Sequence, residues 1–291
     1  MGPGAIGSAT AARLLTAGRR IAVASRAPFG ALEVATIDDG VLGGPVTVFT
    51  EPDEVRSFAP SWVLVATKAY DADATARWLE ATPGAAVAVL QNGVEHVERF
   101  SRWVSADRIV PVVVDFSVAR LARGSAREGS RGRFVVPATR LGAELVELMA
   151  GSGVVMESTS DFVTAAWRKL ALNVTAAVSA VTLLPNGIAR DEAAAPILLE
   201  LARECVEVGR REGAALDDAV PGRILERLRA STPDSESSLL RDRRQGSRLE
   251  VDARNGAVVR IGARHGIATP MNSLMVALLG AIERSFVVKR A

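Results

Sequence analysis

Two periodicities divide the chain. Up to about residue 157, short β-branched runs recur at 21–24 (IAVA), 46–49 (VTVF), 62–66 (WVLVA), 86–90 (AVAVL) and 109–114 (IVPVVV). Helical patterns at 9–17 and 72–79 lie between several of them. Strands alternating with helices predict a parallel sheet covered on both faces. Residues 116–137 hold short strand candidates separated by Gly, Arg and Ser, which reads as a meander or hairpin added to that sheet. Residues 153–156 read as a last short strand. From about Asp161 the pattern becomes helix after helix: 161–184, stopped by Pro185-Asn186-Gly187, then 191–213, 220–229, 237–244, 251–265 and 272–284. The expectation is an α/β domain over 1–157 and an all-helical domain over 158–291.

Composition narrows the chemistry. The chain has 291 residues, 48% of them hydrophobic, enough to build two cores and too apolar for disorder. Cys205 is the single cysteine, so neither an internal disulfide nor a cysteine zinc site can form. The two histidines, His96 and His265, lie far apart, and no metal site is expected. A formal net charge of +2 gives no strong field toward nucleic acid or an anionic membrane. The N-terminus lacks a basic segment followed by an apolar one, and the most apolar long stretch, 164–184, contains Arg168, Lys169 and Asn173. A soluble cytoplasmic protein with a small-molecule partner is expected. Of 35 basic residues only Lys68, Lys169 and Lys289 are lysines, so each asks for a reason.

Gly2-Pro3-Gly4-Ala5-Ile6-Gly7 fits G-x-G-x-x-G. The first glycine permits a tight turn, the second lets backbone approach a pyrophosphate, and the third lets helix and strand pack closely. A helix follows, then a strand about 20 residues downstream, as a dinucleotide site of Rossmann type requires. That strand ends in Ser25-Arg26, where an NAD enzyme would carry an acid. A guanidinium beside a small hydroxyl suits the 2′-phosphate of NADP. The strand that should feed the glycine turn is absent. The doubly wound sheet is therefore expected to lack roughly 5 or 6 residues of its central strand, with a start codon assigned too late as the expected cause.

Taken jointly, Gly2 to Gly7, Thr67-Lys68-Ala69, Gln91-Asn92-Gly93-Val94, Trp167-Arg168-Lys169-Leu170-Ala171-Leu172-Asn173, Pro185-Asn186-Gly187, and Ser237-Ser238-Leu239-Leu240 with Glu250-Val251-Asp252 and Asn255-Gly256 behind them resemble the ketopantoate reductase (2-dehydropantoate 2-reductase) family. The likeness runs over nearly the whole chain. It implies an NADPH-dependent reduction of a 2-keto acid, ketopantoate to pantoate, in pantothenate synthesis. In that family the lysine corresponding to Lys169 protonates the ketone oxygen as hydride arrives at carbon.

The residues support those roles on their own chemistry. Lys169 and Asn173 are four apart on one helix face, offering a cation and an amide to one ligand. Trp167, Leu170, Leu172 and Val174 make this helix mostly apolar, so a charge there needs a reason. Glu250 sits at a helix start, where a carboxylate is favoured; a simple capping carboxylate is the plain alternative. The resemblance implies that it lies near the catalytic lysine and contacts substrate and cofactor. Ser238 begins a helix, where its hydroxyl and N–H could bind a substrate carboxylate or serve as an ordinary N-cap. Asn92 and Lys68 each follow a strand, on the side of the sheet that faces a cofactor. Asn186 is carried over as a substrate contact by the resemblance alone. The family's second asparagine on the catalytic helix is Ala177 here, which removes one substrate hydrogen bond. The rival readings are a related NAD(P)-dependent hydroxyacid dehydrogenase with another substrate and a truncated, inactive paralogue. A homodimer is possible, because the apolar stretch 271–282 suits a core or an interface equally.

Overall fold

The β-branched runs pair side by side and bury most of their valines, most completely in the run 86–89. In the computed structural model, which describes residues 1–288, the chain divides into two units. The first holds residues 1–91 and 95–162, and the second holds Asn92–Val94 and what is described from Val163 onward.

The first unit runs α1 (Ala5–Thr16), β1 (Ala22–Ala24), β2 (Ala31–Ala35), β3 (Val41–Pro45), β4 (Thr47–Phe49), β5 (Trp62–Val65), α2 (Ala72–Glu80), β6 (Ala86–Val89), α3 (His96–Phe100), β7 (Ile109–Pro111), β8 (Val113–Asp115), β9 (Val118–Ala122), β10 (Ser125–Glu128), β11 (Arg133–Pro137), α4 (Arg140–Leu148) and β12 (Val155–Thr159). Strands β5, β6 and β7 are parallel, with Val63 opposite Val87 and Ala88 opposite Val110. Their buried Val65, Val87 and Val89 pack with Phe100 and Leu79. The expected meander is present as β8 against β11 and the hairpin β9–β10. Strand β10 also pairs with β2, and β2 with β3. The β2–β3 hairpin and α4 go beyond the sequence expectation. Strand β3 contains Gly43 at φ +125°, where a Cβ would lie 2.1 Å from the Leu32 carbonyl oxygen, so glycine is imposed by close approach. The guanidinium of Arg13 on α1 grips the buried Glu128 on β10 through two bonds, 2.7 and 2.6 Å.

The sheet is interrupted between β1 and β5. Strand β1 pairs with β4, and β5 starts a separate set, β5-β6-β7. Among the described residues, Met1 and Gly2 reach between them. The Met1 amine donates to Leu64 O (2.7 Å), Ala66 N donates to Met1 O (3.0 Å), and Gly2 N donates to Ala24 O (3.2 Å). Behind them a cavity of about 310 Å³ runs through the sheet layer, lined by Ala22 and Leu64 from the two edges and by Thr10, Leu14 and Trp78 from the helices on either side. The hydroxyl of Thr10 has no hydrogen-bond partner there. Burial lowers the pKa of the Met1 amine from its ordinary 8.0 to about 6.

The second unit holds α5 (Phe162–Thr182), α6 (Ala195–Arg211), α7 (Val220–Ala230), α8 (Ser238–Arg244), α9 (Ala257–Arg264) and α10 (Pro270–Val288), and no strand among its described residues. Its core is built from Leu170, Val174, Leu201, Leu239, Ile261 and Leu279. Cys205 lies in the same core, and burial pushes its thiol up, as expected of an unreactive cysteine. The single helix expected over 251–265 is instead a π turn, Asp252–Gly256, followed by α9. A buried polar network ties four elements together. Glu204 on α6 accepts from Met271 N (2.7 Å), Asn272 N (2.9 Å) and Asn272 Nδ2 (2.7 Å) at the start of α10. Asn255 in the π turn donates to Asn272 Oδ1 (2.9 Å) and to Val174 O on α5 (3.1 Å). Among the described residues no helix is long and apolar enough to cross a membrane.

Candidate active site

In the first unit, the glycine turn meets the demands of its motif. Gly2 takes φ +79°, and a Cβ there would fall 2.8 Å from Thr67 Cγ2 and 2.9 Å from Thr67 N. A Cβ on Gly7 would lie 2.1 Å from Gly2 O, so the third glycine lets helix and turn close. A Cβ on Gly4 would meet nothing within 4 Å. Gly4 is the N-cap of α1, which has no side-chain cap and no acid in its first turn. The outward N–H groups of Ala5 and Ile6 and open space at Gly4 make a cradle that fits a pyrophosphate.

At the end of β1, Ser25 is buried and donates to Ala27 O (2.9 Å). Arg26 beside it is exposed, and Arg123 from the β9–β10 turn donates to Ser25 Oγ (3.3 Å). The Arg123 guanidinium therefore reaches the Ser25 hydroxyl, and Arg26 is the next residue along the chain. Arg123 was missed by sequence reasoning, since it lies 98 residues away in an arginine-rich chain. Lys68, half-buried, caps a 3-10 turn after β5, and its carbonyl accepts from the buried Gln91 (3.3 Å). Gln91 Nε2 also donates to Thr67 Oγ1 (3.0 Å), which fixes the Thr67-Lys68 turn. His96 stands behind Gln91, bonded through Nε2 to its carbonyl oxygen (2.8 Å), and burial lowers its pKa to about 4. His96 is thus a neutral supporting group. No metal-binding cluster of His, Cys, Asp or Glu occurs among the described residues.

In the second unit, three of the candidates form one hydrogen-bonded chain. Asn173 Nδ2 donates to Asn92 Oδ1 (3.2 Å), and Asn92 Nδ2 donates to Glu250 Oε2 (3.0 Å). Lys169 is half-buried one helical turn before Asn173 on α5, amid the buried Trp167, Leu170 and Val174. Asn92 also needs Gly93, whose φ is +105° and whose Cβ would strike the Ala253 carbonyl oxygen at 2.7 Å. Glu250, only 3% exposed, precedes the π turn and accepts from Asn92. Ser238 proves not to be the N-cap of α8. That role belongs to Ser237, which accepts from Leu240 N (3.1 Å), while Ser238 Oγ takes a hydrogen bond from Arg254 (2.9 Å). Arg254 was not foreseen. Asn186 stands in a 3-10 turn and donates to Ser235 Oγ (3.0 Å), outside the Asn92–Asn173–Glu250 chain. Ala177 is fully buried in the helical core, where an apolar side chain is at home.

Two family models match, "Ketopantoate reductase PanE/ApbA" over residues 1–140 and "Ketopantoate reductase PanE/ApbA C terminal" over 161–283. The chain belongs to the ketopantoate reductase family. Among its relatives, the 2-dehydropantoate 2-reductase of Caulobacter vibrioides is 46% identical over 285 residues, covering 97% of each chain. That of Mycobacterium tuberculosis is 35% identical over 286 residues, covering 97% of this chain and 96% of the relative. A crystal structure of a PanE/ApbA family ketopantoate reductase from Ralstonia eutropha JMP134 superposes with a TM-score of 0.87 at 30% identity, covering 98% of both chains. The same fold, at 17% identity and a TM-score of 0.87 over 98% and 97% of the chains, occurs in a D-mandelate dehydrogenase solved with NADH. The fold alone therefore leaves the keto acid open, and the substrate has to be argued from residues. Membership of the family makes the protein an oxidoreductase that uses a nicotinamide cofactor.

Proposed function

We infer that this reductase converts 2-dehydropantoate (ketopantoate) to pantoate with NADPH. The observation that carries the reading is the joined set Asn173, Asn92 and Glu250, with Lys169 one helical turn before Asn173 on α5. It offers one cation and two oriented amides around a buried carboxylate, on a chain 46% identical to a 2-dehydropantoate 2-reductase. The cofactor, when bound, supplies the hydride. Gly2 to Gly7 and the α1 N-terminus hold its pyrophosphate, and Lys68 stands near it. Ser25, Arg26 and Arg123 take the 2′-phosphate, which favours NADPH over NADH.

Lys169 gives its proton to the ketone oxygen as the carbonyl carbon is reduced. Glu250 and Asn173 fix the Asn92 amide, because its N–H₂ is committed to one and its oxygen to the other. Asn92, Asn173 and Ser238 orient the keto acid, with Asn186 a further substrate contact. A homodimer is proposed from Leu274 and Leu278, exposed apolar side chains one turn apart on α10, and sedimentation velocity tests it. The function is tested by following NADPH oxidation with 2-keto acids that carry or lack a 4-hydroxyl. Ketopantoate should give the highest kcat/KM. A preference for an acid without the hydroxyl would sink the substrate assignment while leaving keto-acid reduction intact.

A further inference from the structure

Arg254 is 2% exposed and sits inside the π turn, four residues after Glu250. Its Nη2 lies 2.9 Å from Ser238 Oγ and 3.8 Å from Glu250 Oε2, and its Nε has no hydrogen-bond partner. A buried ion pair contributes little net stability compared with apolar residues of the same shape, so core packing gives no reason for a guanidinium at this place. Single π turns recur at functional sites, because the extra residue re-aims side chains.

The hydrogen bond to Ser238 has a directional consequence. Arginine can only donate, so the Ser238 oxygen must accept. The hydroxyl hydrogen of Ser238 is then left to be given to another acceptor. At the same end of the network, Glu250 is held on one side by the Asn92 amide and faces the guanidinium on the other.

We propose that Arg254 is a positioning residue that turns the Ser238 hydroxyl into a fixed hydrogen-bond donor for the carboxylate of the 2-keto acid. This rests on the reading of Ser238 as a substrate contact. Arg254 acts through Ser238, and its positive charge offsets the buried Glu250 carboxylate that would otherwise repel an anionic substrate. The anion is therefore bound by a serine backed by a buried cation, and a neutral analogue of the same shape loses that benefit.

The test is a double-mutant cycle of Arg254→Met and Ser238→Ala, read by steady-state kinetics with ketopantoate and with its neutral primary amide. Each single variant should raise KM for ketopantoate about tenfold, the cost of one charge-backed hydrogen bond. The kcat at saturation should change by less than about threefold, with NADPH affinity unchanged. The double variant should be no worse than the worse single one, and preference for the acid over the amide should fall in all three. Additive losses, or an unchanged KM in Arg254→Met, would overturn the role of Arg254. An unchanged KM in Ser238→Ala would instead remove Ser238 from the substrate site, so the two failures are separable. If Arg254→Met does not fold, Arg254→Gln decides, because its amide stops short of Ser238 Oγ. The same rise in KM supports the proposal, and a parental KM overturns it.

Discussion

Glu204 closes the start of α10 from the side of α6, and its removal tests whether the polar network of the helical unit is structural support for the site. The first N–H groups of a helix have no partner within the helix. Here Met271 N and Asn272 N give theirs to the Glu204 carboxylate, and the Asn272 amide adds a third bond. Glu204→Ala leaves two backbone donors, the buried Asn272 N and the half-buried Met271 N, without acceptors, at about 1–3 kcal/mol each. The third donor keeps Leu201 O at 3.2 Å and loses less. Lost attraction between the carboxylate and the helix N-terminus adds up to about 1 kcal/mol. The sum is about 2–7 kcal/mol, a large part of the stability of an ordinary domain. Urea denaturation followed by far-UV circular dichroism measures it, with Glu204→Gln as the control that keeps volume and one acceptor oxygen and should lose about half as much. Faster hydrogen exchange at Met271 and Asn272 should accompany the loss. A Glu204→Ala protein within about 1 kcal/mol of the parent would refute the reasoning, because surface changes alone reach that size.

Other outcomes follow from the same physics. His96 stays neutral in the fold, whereas the unfolded chain protonates below the ordinary pKa of 6.5; stability is therefore lost as pH falls from about 6.5 to about 4, by roughly 3 kcal/mol, and His96→Gln should remove that slope in pH-dependent denaturation. The buried Met1 amine has the same sign in a higher window, with loss as pH falls from about 8 to about 6. Arg26→Ala and Arg123→Ala should each weaken NADPH about tenfold while sparing NADH, as measured by fluorescence titration.

The sequence carried the parts of this molecule that depend on local pattern. The runs at 62–66 and 86–90 became β5 and β6, and the run at 109–114 became β7 and the start of β8, because apolar β-branched residues suit buried strands. Lys169 and Asn173 were legible as neighbours on one helix from their four-residue spacing, and both lie on α5. The β2–β3 hairpin was hidden because Leu-Gly-Gly-Pro lacks strand propensity and is held by close packing against Leu32. Helix α4 was missed although Thr139 caps it, accepting from Gly142 N at 3.1 Å, because its nine residues hold a glycine that packs against the Pro137 carbonyl. The π turn has no signature in residue order. The meeting of Asn92 with Glu250 spans 158 positions and exists only in the fold. Arg254 could not be told from its neighbours, since burial and not residue type sets it apart from the other arginines.

The account turns on Lys169 as the proton donor, and steady-state turnover of Lys169→Ala with NADPH and ketopantoate tests that most directly. General acid catalysis is worth about 10²–10⁴-fold, so kcat should fall by that order while NADPH still binds with parental affinity. Turnover within a few-fold of the parent, with the cofactor bound equally well, would contradict it.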